Sequence, residues 1–150
     1  MKKILLIVTL LWGTLAMAQA QTASAKKGVE KACMNYLDGF YEGNEAKLKE
    51  SLSPQLFKFG YWKSKGAADY GKGEQMTYEQ ALAFARKVLA KKRFPKKSAP
   101  KKVEVLDVMN HIAAAKVTAW WGQDYILLVK KDDKWMIREV LWEGPLQQNN

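Results

Sequence analysis

The chain has 150 residues, 48% of them apolar and 11% aromatic, enough to bury one compact core and to exclude whole-chain disorder. One cysteine and one histidine exclude an internal disulfide framework and leave no ligand set for structural zinc. The formal charge of +10 first suggests nucleic acid as a partner, so the placement of the cations decides its meaning.

Lys2 and Lys3 precede an apolar run over 4–15, and small residues at Ala16, Ala18 and Ala20 follow it. That order reads as a secretory signal peptide over residues 1–20, cleaved after Ala20 or, second, after Ala18. The apolar run is shorter than the roughly 20 residues that span a bilayer. A periplasmic or secreted location is therefore expected. Residues 21–27 are small and polar and read as a flexible lead-in to a domain over 28–145, with a polar tail at 146–150.

Val29, Ala32, Cys33, Tyr36, Leu37, Phe40 and Tyr41 recur at spacings of three and four, which predicts one face of a helix. On that stripe Cys33 reads as a buried thiol. Gly43-Asn44 ends this helix, and Asn44 can cap a short second one from Glu45 to about Leu52. Ser53-Pro54 then breaks the chain, and Phe57, Phe59 and Tyr61 alternate as a short strand. Lys63 to Gly73 is a loop. Thr77 and Gln80 fit a capping box for a third helix, Tyr78 to about Leu89.

Beyond it the pattern turns to strands: Val103–Met109, Ile112–Trp121, Asp124–Lys131 and Trp135–Trp142, with turns expected at Asn110-His111, Gly122-Gln123 and Asp132-Asp133. Helices followed by antiparallel hairpins predict an α+β domain, a curved antiparallel sheet with the three N-terminal helices on one face.

Three stretches carry a family resemblance: Tyr36-Leu37-Asp38-Gly39-Phe40-Tyr41-Glu42-Gly43-Asn44, Met76-Thr77-Tyr78-Glu79-Gln80, and the run from Asp124-Tyr125-Ile126-Leu127-Leu128 to Lys134-Trp135-Met136-Ile137. They resemble the nuclear-transport-factor-2-like superfamily and, within it, the bacterial family described as putative lumazine-binding. The resemblance covers about Val29 to Gly144. It implies a cone of bent sheet around three helices, a pocket for a small ligand, and dimers through the open sheet face, a role that would suit Trp120 or Trp142. The chain departs from the family pattern at Ser53, where His is frequent, and at Asp133, where Gly is expected.

Some members of that superfamily are cyclases or isomerases that use a carboxylate tuned by burial. Period-2 alternation sets Trp135, Ile137, Glu139 and Leu141 on one face, which makes Glu139 the candidate acid–base residue. Asp107 is a weaker candidate, Asp124 reads as a strand-start or turn residue, and His111 as a solvated turn histidine. Tyr36, Phe40, Phe59, Tyr61, Tyr125 and Trp135 are the expected ligand-binding aromatics. Trp120 and Trp121, by alternation, fall on opposite sheet faces. No nucleotide, metal or nucleophile motif appears, so no cofactor is expected.

The basic stretch 91–102 holds seven cations and no acid, and its two prolines prevent a continuous helix. Without Lys2, Lys3 and this strip, the charge of the chain nearly balances. The strip reads as an exposed linker, or as an attachment to an anionic envelope surface, and not as a nucleic-acid platform. The sequence thus predicts an exported, non-catalytic binder of a small apolar or aromatic ligand. An enzyme using Glu139 and a protein-interaction module are its alternatives.

Overall fold

A computed structural model describes residues 2–146, with side chains described from residue 22 onward. The side chains of the expected signal peptide and the last four residues of the polar tail lie outside the described residues.

The first helix, α1, runs Lys2–Glu42, so residues 22–27 are helical and continuous with it where a flexible lead-in was expected. Helix α2 spans Glu45–Ser51, and the Asn44 side chain caps it by accepting the Lys47 backbone N–H. Gly43 joins the two helices at φ +67, where a Cβ would lie 2.6 Å from the Leu89 backbone nitrogen. Only glycine fits that left-handed and crowded position. Helix α3, Tyr78–Ala90, begins with the expected reciprocal capping box between Thr77 and Gln80.

The strands are β1 Leu52–Trp62, β2 Glu74–Met76, β3 Lys102–Val108, β4 Ile112–Ala119, β5 Gly122–Lys131 and β6 Lys134–Gly144. They form one sheet in the order β2-β1-β6-β5-β4-β3. All pairs are antiparallel except β1 with β6, which run parallel. The expected α+β architecture is present, with a mixed sheet. Ser53-Pro54 does not delay β1; it falls in the irregular stretch between Leu52 and Phe57, where the register with β6 shifts.

The helices cover one face of this sheet. Val29, Cys33, Tyr36 and Leu37 of α1 bury against Val117, Ile126, Leu128 and Ile137. The inward residues of β4 are Ala113, Ala115, Val117 and Ala119, and these small side chains leave room for the helix to lie close.

Two turns decide where the aromatics go. Asp132 and Asp133 both have positive φ, 50 and 58, as the tight hairpin turn between β5 and β6 requires. The β4–β5 turn is Trp120-Trp121, two residues earlier than the expected Gly122-Gln123. Strand alternation does not apply inside a turn, so the two indoles reach the same side and meet edge to face, 5.7 Å between centroids.

Candidate functional site

The alternation of β1 is the first surprise. Leu56, Lys58 and Gly60 are buried, while Phe57, Phe59 and Tyr61 point to the outer face. Lys58 therefore enters the protein with 5% of its surface exposed. A buried ammonium requires partners. Its Nζ donates to the Tyr36 hydroxyl at 2.8 Å and lies 3.5 Å from Asp124 Oδ2.

Asp124 is wholly buried at the inner face of β5, where the sequence had suggested a strand-start or turn residue. It accepts the Tyr36 O–H at 2.5 Å on Oδ2 and the Trp121 indole N–H at 2.7 Å on Oδ1. Burial, with the Asp124 charge and hydrogen bond adding to it, holds the Tyr36 hydroxyl well above its ordinary pKa. Burial lowers the pKa of the Lys58 ammonium, and the Asp124 charge opposes that shift. The three side chains tie α1, β1 and β5 together beneath an aromatic wall.

That wall encloses a cleft of about 250 Å³. Phe40 of α1 and Phe84 of α3 form one side, their rings 5.8 Å apart, and Phe40 also meets Trp121 at 5.6 Å. Trp62, Met76, Trp120 and Trp142 complete the wall. Gly60 makes room for Trp142, because a Cβ there would come within 2.3 Å of the indole. The Lys58 Nζ lies behind the wall, 5.1 Å from the centroid of the Trp142 ring, so its charge is held by ring faces and Asp124. The exposed lining of the cleft is apolar.

Glu139 is not part of it. The pairing Leu127–Glu139 followed by Leu128–Ile137 leaves Arg138 as an extra residue in β6, a β-bulge. The bulge reverses the alternation after Ile137: Val140 turns inward, and Glu139 and Leu141 turn to solvent. The period-2 expectation failed at that residue, and with it the acid–base role in a pocket. Among the described residues no carboxylate lines the cleft. Asp107 is exposed and accepts the Val108 backbone N–H, and His111 is exposed beyond the end of β3. No group of acidic, His and Cys residues that could hold a metal occurs among the described residues.

The six expected ligand-binding aromatics divide. Phe40 lines the cleft, and Tyr36 lies under it in T-shaped contact with Phe40 at 5.0 Å. Phe59, Tyr61 and Tyr125 share the outer face of the sheet, along a broader groove of about 770 Å³ with Gln123, Leu141 and Glu143. Trp135 is buried against Gly28 and lines another hollow, with His111. Trp120 and Trp142, expected at a dimer face, belong to the cleft instead. Sequence reading missed Lys58 because a lysine between aromatic neighbours looks like the solvent-facing member of the alternation. The available signal was Leu56 and Trp62, which share its parity.

A bent mixed sheet enclosing helices, open to a cleft at one end, defines the nuclear-transport-factor-2-like class. A protein of that class from Shewanella baltica OS155, itself of unknown function, superposes with a TM-score of 0.65 at 15% identity over 82% of this chain and 96% of that one. One from Methylobacillus flagellatus KT gives 0.56 at 18% identity, covering 78% and 89%. A Nostoc punctiforme PCC 73102 domain with a cystatin-like fold gives 0.57 at 14% identity, covering 84% and 80%. No curated protein matches the sequence. Residues 24–143 match the family described as "Putative lumazine-binding", and the chain belongs to that family.

Proposed function

We propose that the protein is an exported, non-catalytic binder of a small flat ligand, held in the aromatic cleft above Lys58. The observation that carries this reading is the cleft's lining: rings from two helices, the sheet and a turn converge on one apolar volume. Release of water from such a wall drives binding of an apolar body, and ring faces favour a flat one. The family description points the same way, since lumazine is a fused heteroaromatic. Non-catalytic action is supported by the engagement of the one ionisable residue of the lining, Lys58, with Tyr36 and Asp124. Export rests on the order of residues 1–20. Among the described residues no helix is long and apolar enough to cross a membrane.

The outer sheet face supports a homodimer. Tyr61, Tyr125, Leu127 and Leu141 are each more than two-fifths exposed there, apolar side chains that a second copy would cover.

Titration with lumazine, followed by quenching of tryptophan fluorescence, tests the cleft. Saturable quenching is expected, weakened about five- to tenfold by Phe84→Ala through loss of one ring contact. Absence of quenching, or quenching abolished by Leu141→Lys on the outer face and not by Phe84→Ala, would move the site elsewhere.

A further inference from the structure

Trp120 joins two features that are separate in the sequence, the aromatic cleft and the basic strip. Its ring lines the cleft and also a second hollow formed with Arg93, Phe94 and Lys96. The strip is held there at its end. Tyr41 donates its hydroxyl proton to the Pro100 carbonyl and accepts the Trp120 backbone N–H at 2.9 Å, while Lys101 is bound to Asp38. Lys91, Lys92, Arg93, Lys96 and Lys97 form no ion pair among the described residues. The nearby acid is Glu42, which lines a neighbouring hollow with Phe94 and whose carboxylate is bound by Lys47 at 2.9 Å. Among these cations Phe94 is 50% exposed and Trp120 43%, with Trp62 and Phe84 at 40% and 38% around the cleft.

We propose that this face, the basic strip together with the aromatic cleft mouth, docks on a bilayer containing anionic phospholipid. The chemistry matches on both counts. Tryptophan and phenylalanine rings settle at headgroup depth, and cations beside them meet the phosphates. Each cation near an anionic leaflet multiplies affinity about fivefold, and salt removes the gain. A single small anion would need cations converging on one point, whereas these are spread along the segment. A second copy of the chain would set like charge against like charge. The inference does not need an occupied cleft, and the lumazine titration reads that property separately.

The test is flotation of the full chain with vesicles of phosphatidylglycerol and phosphatidylcholine, against phosphatidylcholine alone. The comparison is between the wild type and K96E/K97E, whose substitutions are exposed and whose fold is checked by near-UV circular dichroism. Both proteins carry the same apolar N-terminal run, so their difference reports the strip alone. We expect salt-sensitive binding to the anionic vesicles, weakened at least about twentyfold in K96E/K97E. Phe94→Ser is expected to weaken binding severalfold while leaving the salt dependence unchanged. Equal partitioning of wild type and K96E/K97E overturns the proposal. So does tryptophan quenching by monomeric dodecyl phosphate without any flotation, which would make the partner a soluble amphiphile. Dissociation of a dimer by K96E/K97E in sedimentation would make it a second copy.

Discussion

Lys58 and Asp124 face each other across the interior at 3.5 Å, with the Tyr36 hydroxyl bonded to both. Neither charge reaches water to any extent, the side chains being 6% and 0% exposed. Such a pair is worth little beyond an apolar replacement, but each half is costly without the other. Asp124→Leu is expected to lower stability by about 3–5 kcal/mol, because it also strips partners from Tyr36 and Trp121. Lys58→Met should cost less, since Tyr36 and Trp121 keep their acceptor. Urea denaturation of both single variants and the double variant checks this. A double variant less stable than the sum of the singles would contradict the coupling.

Burial, with the charges of Asp124 and Glu30 acting in the same direction, pushes the Cys33 thiol up to about 12 from 9.0. The folded protein therefore holds this proton where the unfolded chain releases it, between about pH 9 and 12. The stabilisation is full below pH 9 and is lost as pH rises through that window, by up to about 1.4 kcal/mol per pH unit. Stability of the wild type relative to Cys33→Ala should fall from pH 9 to 11 in denaturant titrations. A difference that stays flat with pH would show that the thiol is not so perturbed. Iodoacetamide at pH 8 should leave the native thiol unmodified and label it on unfolding.

Glu139 reports on the bulge. Since its side chain stands in water on the outer face, Glu139→Gln should leave stability within about 0.5 kcal/mol and the lumazine titration unchanged. A shift of lumazine affinity in this variant would reinstate the carboxylate as a cleft residue.

The outer face carries the dimer prediction. Tyr125 and Leu141 are cross-strand partners at its centre, both 56% exposed, and Phe59 lies opposite Leu141 on the other side. Leu141→Lys should convert a dimer to a monomer in analytical ultracentrifugation while leaving the thermal transition of the monomer near its original place. A wild type that sediments as a monomer at tens of micromolar would remove this reading.

Gly43 tests the joint between α1 and α2. Its φ of +67 and the Leu89 backbone 2.6 Å from a would-be Cβ combine strain with a steric clash. Gly43→Ala should cost about 1–3 kcal/mol in urea denaturation. A cost under half that would mean α3 yields easily.

The helices were legible because their signals are local: the stripe from Val29 to Tyr41, the cap at Asn44 and the box at Thr77. Strand positions followed from β-propensity and turn residues. What the residues did not reveal is which face each strand buries, because that depends on partners distant in sequence. On β1 the aromatic parity looked like core, yet Lys58 is the inward residue, since its partners Tyr36 and Asp124 lie 22 and 88 positions apart from Lys58 and from Tyr36 respectively. On β6 a single inserted residue, visible only in the pairing with β5, moved Glu139 out of the interior. The shared side of Trp120 and Trp121 was hidden for a similar reason, since a turn that starts two residues early removes the alternation on which the expectation relied.

The extra residue at Arg138 divides β6 into two stretches of opposite phase. Ahead of it, Trp135 and Ile137 serve the packing of α1; beyond it, Val140 and Trp142 serve the middle of the cone and the cleft. Were the same strand paired with β5 without the bulge, its inside and outside beyond Ile137 would exchange, turning Trp142 out to water and Glu139 in. The cleft thus depends on where the ladder takes up its extra residue as much as on the kinds of residue in the strand.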